Sequence, residues 1–201
     1  MDAVIFDIDD TLLHSMSIDD QLYRLAINDV VGDVRFRESL AEYEHVSDSG
    51  ILQQVLIDNS INVDVFDEIR ERFLLSLESH VAEHGPFREI AGARDALDRL
   101  RRSKQHAVAL ATGCWRRSAE LKLRTAGFSF DDMPLATADD AMERTNIMRH
   151  ALGSLRGCFD SITYFGDGIW DQEACRDLGW HFRPVGPTLN GLENYCDEFR
   201  D

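Results

Sequence analysis

Acidic and hydroxyl side chains follow three short apolar segments of this 201-residue chain, which are residues 3–6, 107–111 and 162–165. The side chains that could do chemistry there are two carboxylates, a hydroxyl beside a glycine, and two further carboxylates: Asp7, Asp9, Thr112, Gly113, Asp167 and Asp171. Four carboxylates that converged on one place would repel one another strongly unless a cation held them. Carboxylate oxygens suit Mg²⁺, which keeps several waters and leaves room for a phosphate oxygen. The residues therefore predict a Mg²⁺ site that takes a phosphate group, provided that the fold brings them together.

The apolar segments before these residues predict strands of one parallel sheet. Short, continuous apolar runs are typical of strands that are buried on both faces. Weaker strand candidates lie around 133–137 and 180–182, and between the strands the apolar spacing becomes helical, as in 93–100. This alternation predicts an α/β fold, a doubly wound parallel sheet with helices on both faces. Ligands bind outside the carboxyl ends of the strands in such sheets, where the acidic and hydroxyl side chains fall.

Residues 17–85 interrupt the alternation of strands and helices. This stretch has no convincing strand pattern, and its apolar residues recur at helical spacing. We interpret it as a helical cap that is inserted after the first strand. The α/β core then consists of residues 1–16 together with 86–201.

The charge of the chain excludes some classes of partner. Lysine and arginine number 21 and aspartate and glutamate number 37, which gives a net charge of −16. Such a chain lacks the basic face that a DNA or RNA backbone requires, and an anionic membrane surface does not attract it. We therefore expect no nucleic-acid partner and no membrane partner.

The cysteines and the apolar runs indicate the cellular compartment in which the protein is expected. The four cysteines have neither the spacing of a zinc site nor that of a small disulfide framework, which favours a reducing environment. The N-terminal residues do not resemble a signal peptide, and no apolar run approaches the roughly 20 residues that span a bilayer. We expect a cytoplasmic protein.

Three sequences at the predicted strand ends resemble the motifs of one family. Residues 4–11, Val-Ile-Phe-Asp-Ile-Asp-Asp-Thr, resemble the first motif of the haloacid dehalogenase (HAD) superfamily of phosphotransferases. Residues 110–113 resemble the second motif, and residues 166–171, Gly-Asp-Gly-Ile-Trp-Asp, resemble the fourth. The resemblance implies a Rossmann-like HAD core with a helical cap of the family's first type (C1).

The resemblance also implies roles for the strand-end residues. Asp7 would be the nucleophile that attacks phosphorus and forms an aspartyl-phosphate intermediate. Asp9 would be the general acid for the leaving oxygen and then the base for the attacking water. Thr112 and the Gly113 amide would hold the transferring phosphoryl group.

The metal site that the resemblance implies shares residues with this catalytic set. Asp7, Asp167 and the main-chain carbonyl of Asp9 would bind Mg²⁺, and Asp171 would act directly or through a water. Mg²⁺ is therefore the expected cofactor.

The third motif of the family is usually a lysine, and here the sequence departs from the pattern. The only lysines are Lys104 and Lys122, and neither lies shortly before the fourth motif. We expect a solvated or packing role for Lys122. Arg144, which opens the helix before the last active-site strand, is our candidate phosphate ligand, with Arg149 as the second choice. An arginine keeps the charge and can bind phosphate with two donors, but it is not a simple replacement for lysine.

Two further residues are candidate substrate contacts. Asp48 lies in the sequence Ser47-Asp48-Ser49-Gly50, which resembles the substrate-facing loop of related capped phosphatases and equally fits the N-cap of a helix. Arg116 follows Gly113 at a predicted helix start, where anions are favoured, although a solvated helix face would explain it as well.

The expected function is a Mg²⁺-dependent phosphatase that acts on a small phosphorylated metabolite. A phosphomutase would use the same residues and return the phosphoryl group to a sugar hydroxyl. A haloacid dehalogenase would need neither Mg²⁺ nor a second carboxylate such as Asp9. A phosphate-binding or regulatory protein without turnover is the alternative from a different class. The sequence does not predict the particular ester or the oligomeric state.

Overall fold

One sheet of five parallel strands forms the centre of the computed structural model, which describes residues 1–199. The strands are β1 (Asp2–Phe6), β2 (His106–Ala111), β3 (Leu135–Ala136), β4 (Ile162–Gly166) and β5 (His181–Pro184). They lie in the order β3-β2-β1-β4-β5, and every neighbouring pair is parallel. The strands predicted from the apolar runs are confirmed, and the weak candidate around 133–137 is reduced to two residues.

The register of the three central strands brings their carboxyl ends to one edge of the sheet. Phe6, the last residue of β1, pairs with Leu110 of β2 and with Phe165 of β4. Asp7 comes next and is held at this edge, because its N–H donates to the Phe165 carbonyl at 2.9 Å. The residues that follow β2 and β4 emerge beside it, so the sheet itself gathers the predicted chemistry.

In the part of the chain that the structure describes, seven α-helices accompany the sheet: α1 (Met16–Val31), α2 (Asp48–Asp58), α3 (Phe66–His84), α4 (Ala93–Arg102), α5 (Arg116–Thr125), α6 (Arg144–Ser154) and α7 (Ile169–Leu178). Val4 and Phe6 pack in one cluster with Leu97 of α4, whereas Ile5 packs in another with Ile147 and Met148 of α6. Successive side chains of a strand point to opposite faces, so helices cover both faces of the sheet, as the doubly wound prediction requires. No helix within residues 1–199 has the length and apolar character needed to cross a membrane.

The segment interpreted as a cap is helical. Residues 16–84, all of which the structure describes, contain α1, α2, α3 and two short 3₁₀ turns but no strand. The chain leaves and re-enters the core side by side, because the His14 N–H donates to the Arg88 carbonyl and the Ile90 N–H to the Leu12 carbonyl, each at 2.9 Å. Helices α1 and α3 pack against each other, and the division at residues 17–85 into a separate domain stays a prediction.

Candidate active site

Asp7 lies at the carboxyl end of β1 with only 2% of its surface exposed. Its Oδ1 is 3.6 Å from Nη1 of Arg144. Burial, together with the neighbouring carboxylates of Asp171 and Asp9, raises the pKa of Asp7 to about 8 against the opposing charge of Arg144. When ionised, a carboxylate so placed needs cations around it to balance its charge.

Three carboxylates form a compact cluster around this position. Asp7, Asp167 and Asp171 each offer an oxygen, and these three atoms lie within 4.8 Å of one another. All three residues are buried, and the Oδ1 atom of each has no hydrogen-bond donor. Burial, together with Asp7 and Asp171, raises the pKa of Asp167 to about 9. Three buried carboxylates at this spacing, each with an oxygen that lacks a hydrogen-bond donor, fit a hard divalent cation, which would relieve their repulsion.

A glycine permits Asp171 to reach this cluster from the first turn of α7. A Cβ atom on Gly166, the last residue of β4, would lie 2.5 Å from Oδ2 of Asp171. The same oxygen accepts a hydrogen bond from the Gly168 N–H at 3.3 Å. The glycines of the fourth motif therefore leave room for the Asp171 carboxylate and help to orient it.

Arg144 reaches the cluster from the first turn of α6. Its Nε is 3.2 Å from Oδ1 of Asp171, and the residue is buried. Burial opposes its charge, but Asp171 and the other nearby acids hold the pKa of Arg144 above its ordinary value. Arg149 is exposed and bonds to Asn146 of its own helix at 2.9 Å. The structure therefore brings Arg144, and not Arg149, to the nucleophile.

Thr112 and Gly113 lie at the end of β2, beside Asp7. The Thr112 N–H donates to the Ala136 carbonyl at 3.0 Å, and the Gly113 carbonyl accepts from the Asp48 N–H at 2.7 Å. A Cβ atom on Gly113 would lie 3.1 Å from the Val46 carbonyl oxygen and 3.2 Å from a nitrogen of Arg144. A glycine at 113 therefore lets the helical segment and Arg144 approach the strand end closely.

Asp9 makes contacts that were not predicted from the sequence. Its two carboxylate oxygens accept hydrogen bonds from Nζ of Lys122 at 2.7 and 2.9 Å, and it also accepts from the Ser15 hydroxyl and the Cys114 thiol. Burial alone would raise the pKa of Asp9, but Lys122 and these hydrogen bonds hold it below its ordinary value. The structure therefore presents Asp9 in its ionised form.

Of the solvated or packing role expected for Lys122, the solvated alternative is wrong. The residue is fully buried, and its Nζ also lies 2.7 Å from Oδ1 of Asp19 in α1. Burial opposes the charge, but Asp19 and Asp9 hold the pKa of Lys122 well above its ordinary value. The spacing of Ala119, Lys122 and Leu123 places the lysine on the apolar stripe of α5, which is the sequence signal that could have revealed its burial.

The Ser47–Gly50 sequence begins α2 and borders the cleft. Ser47 caps α2, since its hydroxyl oxygen accepts from the Gly50 N–H at 3.2 Å. The Asp48 carboxylate lines the cleft above Asp7 and accepts a hydrogen bond from the Trp115 N–H at 2.8 Å. Burial and the nearby Asp19 raise the pKa of Asp48 well above its ordinary value. The N-cap prediction is confirmed, and Asp48 is positioned to face a ligand.

Arg116 requires a correction, because the structure directs its side chain elsewhere. Its guanidinium donates to the Leu135 carbonyl at 2.9 Å and to the Asp140 carboxylate at 2.8 Å. It lines a second cavity, which lies between α3 and α5. Although Arg116 lies at the start of α5, its guanidinium does not point toward the residues that follow β1, β2 and β4.

Most of the remaining candidates line one cleft between the strand ends and the helical segment, whose empty volume, with the open solvent in it, is about 670 Å³. Those facing this cleft are Asp7, Asp9, Asp48, Thr112, Gly113 and Arg144. Asp167 and Asp171 do not line it and reach it through their contact with Asp7, so a buried carboxylate and a buried guanidinium border the cleft directly. This arrangement can bind and attack an anionic group.

A family model described as haloacid dehalogenase-like hydrolase matches residues 1–179. The chain belongs to this family. Its membership confirms the resemblance of the strand-end motifs and makes the protein a HAD-like hydrolase. Among curated proteins, none matches the chain.

Solved structures support the fold of this HAD-like hydrolase. A hydrolase from Pseudomonas syringae superposes with a TM-score of 0.72 at 18% identity, over 92% of this chain and 84% of that one. A β-phosphoglucomutase from Clostridium difficile gives a TM-score of 0.71 at 17% identity, over 94% and 86% of the two chains. The protein CbbY from Rhodobacter sphaeroides, solved with phosphate, gives 0.67 at 20% identity, over 99% and 90%. At these identities the likeness supports the fold alone.

Proposed function

We propose that this HAD-like hydrolase is a Mg²⁺-dependent phosphatase that hydrolyses a small phosphate monoester through an aspartyl-phosphate. The observation that carries the proposal is the position of Asp7, whose carboxylate lies at a cleft 3.6 Å from the buried Arg144 guanidinium. In-line phosphoryl transfer depends mainly on positioning and on neutralising charge, which these groups supply. The partner is accordingly a small phosphorylated metabolite.

The reaction has two steps, and each step forms one bond to phosphorus and breaks another. An Asp7 oxygen attacks phosphorus while the bond from phosphorus to the ester oxygen breaks, and the leaving oxygen takes a proton from Asp9. Water then attacks the phosphorus of the aspartyl-phosphate, Asp9 accepts its proton, and phosphate and free Asp7 result. Arg144, Thr112 and the Gly113 amide hold the phosphoryl oxygens during both steps.

The environment of Asp9 fits one of these two roles better than the other. With Lys122 beside it and a lowered pKa, Asp9 is ready to accept a proton from water. Donation to the leaving group needs the protonated form, and the negative phosphoryl group beside Asp9 raises its pKa in the direction required. The ester itself thus prepares Asp9 for the first step.

The carboxylate cluster fits Mg²⁺ by the chemistry of its donors. Asp7, Asp167 and Asp171 would hold the ion, together with the main-chain carbonyl of Asp9. The three orphaned oxygens of this cluster support the assignment. When bound, Mg²⁺ neutralises charge on the phosphoryl oxygens and on Asp7, which lets a carboxylate approach an anionic ester.

Phosphate release over a panel of phosphate monoesters, with and without Mg²⁺, tests this function. Wild type is expected to release phosphate only with Mg²⁺, and Asp7→Asn to lose about three orders of magnitude or more, equivalent to about 4 kcal/mol. The control is Asp2→Asn at the other end of β1, whose carboxylate bonds only to the Ser161 hydroxyl among the described side chains. Turnover in Asp7→Asn at the wild-type rate would contradict the covalent mechanism. A requirement for a bisphosphate activator would indicate a phosphomutase instead.

A further inference from the structure

The cleft above Asp7 has two chemically different ends. The phosphoryl end is formed by the strand-end residues and Arg144. The other end is formed mostly by apolar and aromatic side chains from residues 16–51, among them Met16, Tyr23, Phe36, Leu40, Tyr43 and Ile51. Because the phosphorus must sit against Asp7, the leaving group of the ester occupies this second end.

The cation at this second end, which we call the leaving-group end, already pairs with a carboxylate of the protein. Arg24 of α1 faces the cleft, and its Nε donates to the two carboxylate oxygens of Asp20 at 3.0 and 2.8 Å. Its guanidinium also lies over the ring of Phe36, 4.5 Å from the centroid. Arg24 is therefore held by a carboxylate and an aromatic face, and a substrate anion would have to compete with both.

Two more carboxylates, Asp19 and Asp48, line the same cleft, and Asp48 lies beside the phosphoryl end, because its N–H donates to the Gly113 carbonyl at 2.7 Å. Asp19 is neutralised by Lys122, which is fully buried behind it and also shared with Asp9. The described residues provide no ion pair for Asp48, whose carboxylate is bound by the Trp115 N–H. Among the described residues, the cation of the leaving-group end is thus Arg24, which Asp20 pairs, and Asp19 is paired by Lys122.

We propose that the substrate is a phosphate monoester whose leaving group carries no negative charge and presents an apolar or aromatic face. This inference rests on the proposed phosphatase activity and specifies its substrate class. A second phosphate or a carboxylate on the leaving group would lose water beside the apolar side chains of this end without gaining a free cation, and an uncompensated buried charge is a strong basis for rejecting a ligand. An apolar or aromatic group instead covers the side chains that line this end.

Binding of non-hydrolysable phosphonates tests the substrate class independently of turnover. The probes are benzylphosphonate and 4-carboxybenzylphosphonate, which differ by one carboxylate group, titrated by calorimetry into wild-type protein with Mg²⁺. The uncharged ring is expected to bind about tenfold or more tightly than the carboxylated one. Equal affinity, preference for the carboxylate, or binding of neither probe would overturn the proposal.

Two variants show whether the described charges cause the discrimination. Asp20→Asn frees Arg24 from its carboxylate partner, so the ratio of the two affinities is expected to fall to about threefold or less. The control Asp67→Asn removes a carboxylate that pairs with Arg70 at 3.0 Å on α3 and does not line the cleft, so it should leave the ratio unchanged. An unchanged ratio in Asp20→Asn would contradict the proposed role of the Arg24–Asp20 pair.

Hydrolysis of benzyl phosphate and 4-carboxybenzyl phosphate separates this inference from the proposed function. Selective phosphonate binding without hydrolysis of either ester would contradict the phosphatase activity while supporting the charge preference. Hydrolysis of both esters with equal kcat/KM would support the activity and contradict the charge preference.

Discussion

The ammonium group of Lys122 lies 2.7 Å from Oδ1 of Asp9, in a position that water does not reach. The same nitrogen lies 2.7 Å from Asp19 in α1, so one buried lysine joins the proposed acid/base residue to the first helix of the inserted segment. Removing a lysine from such a group leaves two carboxylates buried without a cation, which is far more costly than losing a surface ion pair.

Lys122→Met is therefore expected to lower the free energy of unfolding by about 3–5 kcal/mol and to reduce phosphate release. Urea denaturation followed by circular dichroism measures the stability. The chain supplies a matched control, because its other lysine, Lys104, is exposed and Lys104→Met should change stability by about 0.5 kcal/mol at most. Equal stability of the two variants would show that the Lys122 contacts contribute nothing.

Arg144→Ala is expected to lower kcat/KM by about 100-fold or more, since a buried guanidinium that neutralises developing charge is removed. Arg149→Ala, one turn later on the exposed side of α6, serves as the control and should retain wild-type kinetics. Steady-state phosphate release measures both. A larger loss of kcat/KM in Arg149→Ala than in Arg144→Ala would show that Arg149, and not Arg144, contacts the phosphate.

Stability of the metal-free protein should fall as pH rises. The pKa values of Asp7 and Asp167 are raised to about 8 and about 9 from the ordinary 3.8, so between these limits the folded state holds protons that the unfolded chain has lost. Each group then lowers the free energy of unfolding by up to about 1.4 kcal/mol per pH unit across this window.

Mg²⁺ bound at the carboxylate cluster would displace these protons, so its stabilising effect should be larger at about pH 8 than at about pH 6. The measurement is the increase in Tm on adding Mg²⁺ at the two pH values. In Asp167→Asn the increase in Tm on adding Mg²⁺ should be smaller than in wild type at both pH values. An increase that is independent of pH in wild type would contradict Mg²⁺ binding at the carboxylate cluster.

Gly166→Ala is expected to weaken Mg²⁺ binding, because the added Cβ would lie 2.5 Å from the Asp171 carboxylate and displace it. The steric overlap should also cost about 1–3 kcal/mol of stability. Gly153→Ala in α6 is the control, since a Cβ there meets nothing within 4 Å and alanine favours a helix by about 0.5–1 kcal/mol. Calorimetric titration with Mg²⁺ compares the two. Unchanged Mg²⁺ affinity in Gly166→Ala would show that Asp171 is not needed for the ion.

The strand-end residues could be predicted because the information is local. Each apolar run is short and continuous, and parallel strands bring their carboxyl ends to one edge whatever the details of packing. Asp7, Thr112 and Asp167 therefore follow from the strand assignments alone. Arg144 required the spacing of the family motifs, since an arginine in the first turn of a helix does not by itself indicate a phosphate ligand.

The contacts of Lys122 and Arg116 could not be predicted in the same way. The apolar stripe of α5 indicates that Lys122 is buried, but its partners Asp9 and Asp19 lie more than 100 positions away and meet it only through packing of α1 and α5 on the core. The direction of Arg116 depends on Asp140, which holds its guanidinium at 2.8 Å. Long-range ion pairs of this kind decide where a charged side chain points, and no local pattern encodes them.

The covalent role of Asp7 is the central claim, and acid quench of the Mg²⁺-loaded enzyme during turnover of a phosphate monoester tests it most directly. Digestion and mass spectrometry should then find a phosphoryl group on the peptide that contains Asp7, formed at least as fast as phosphate is released, and absent from Asp7→Asn. Steady Mg²⁺-dependent phosphate release without any phosphorylated Asp7 peptide at early quench times would contradict the account.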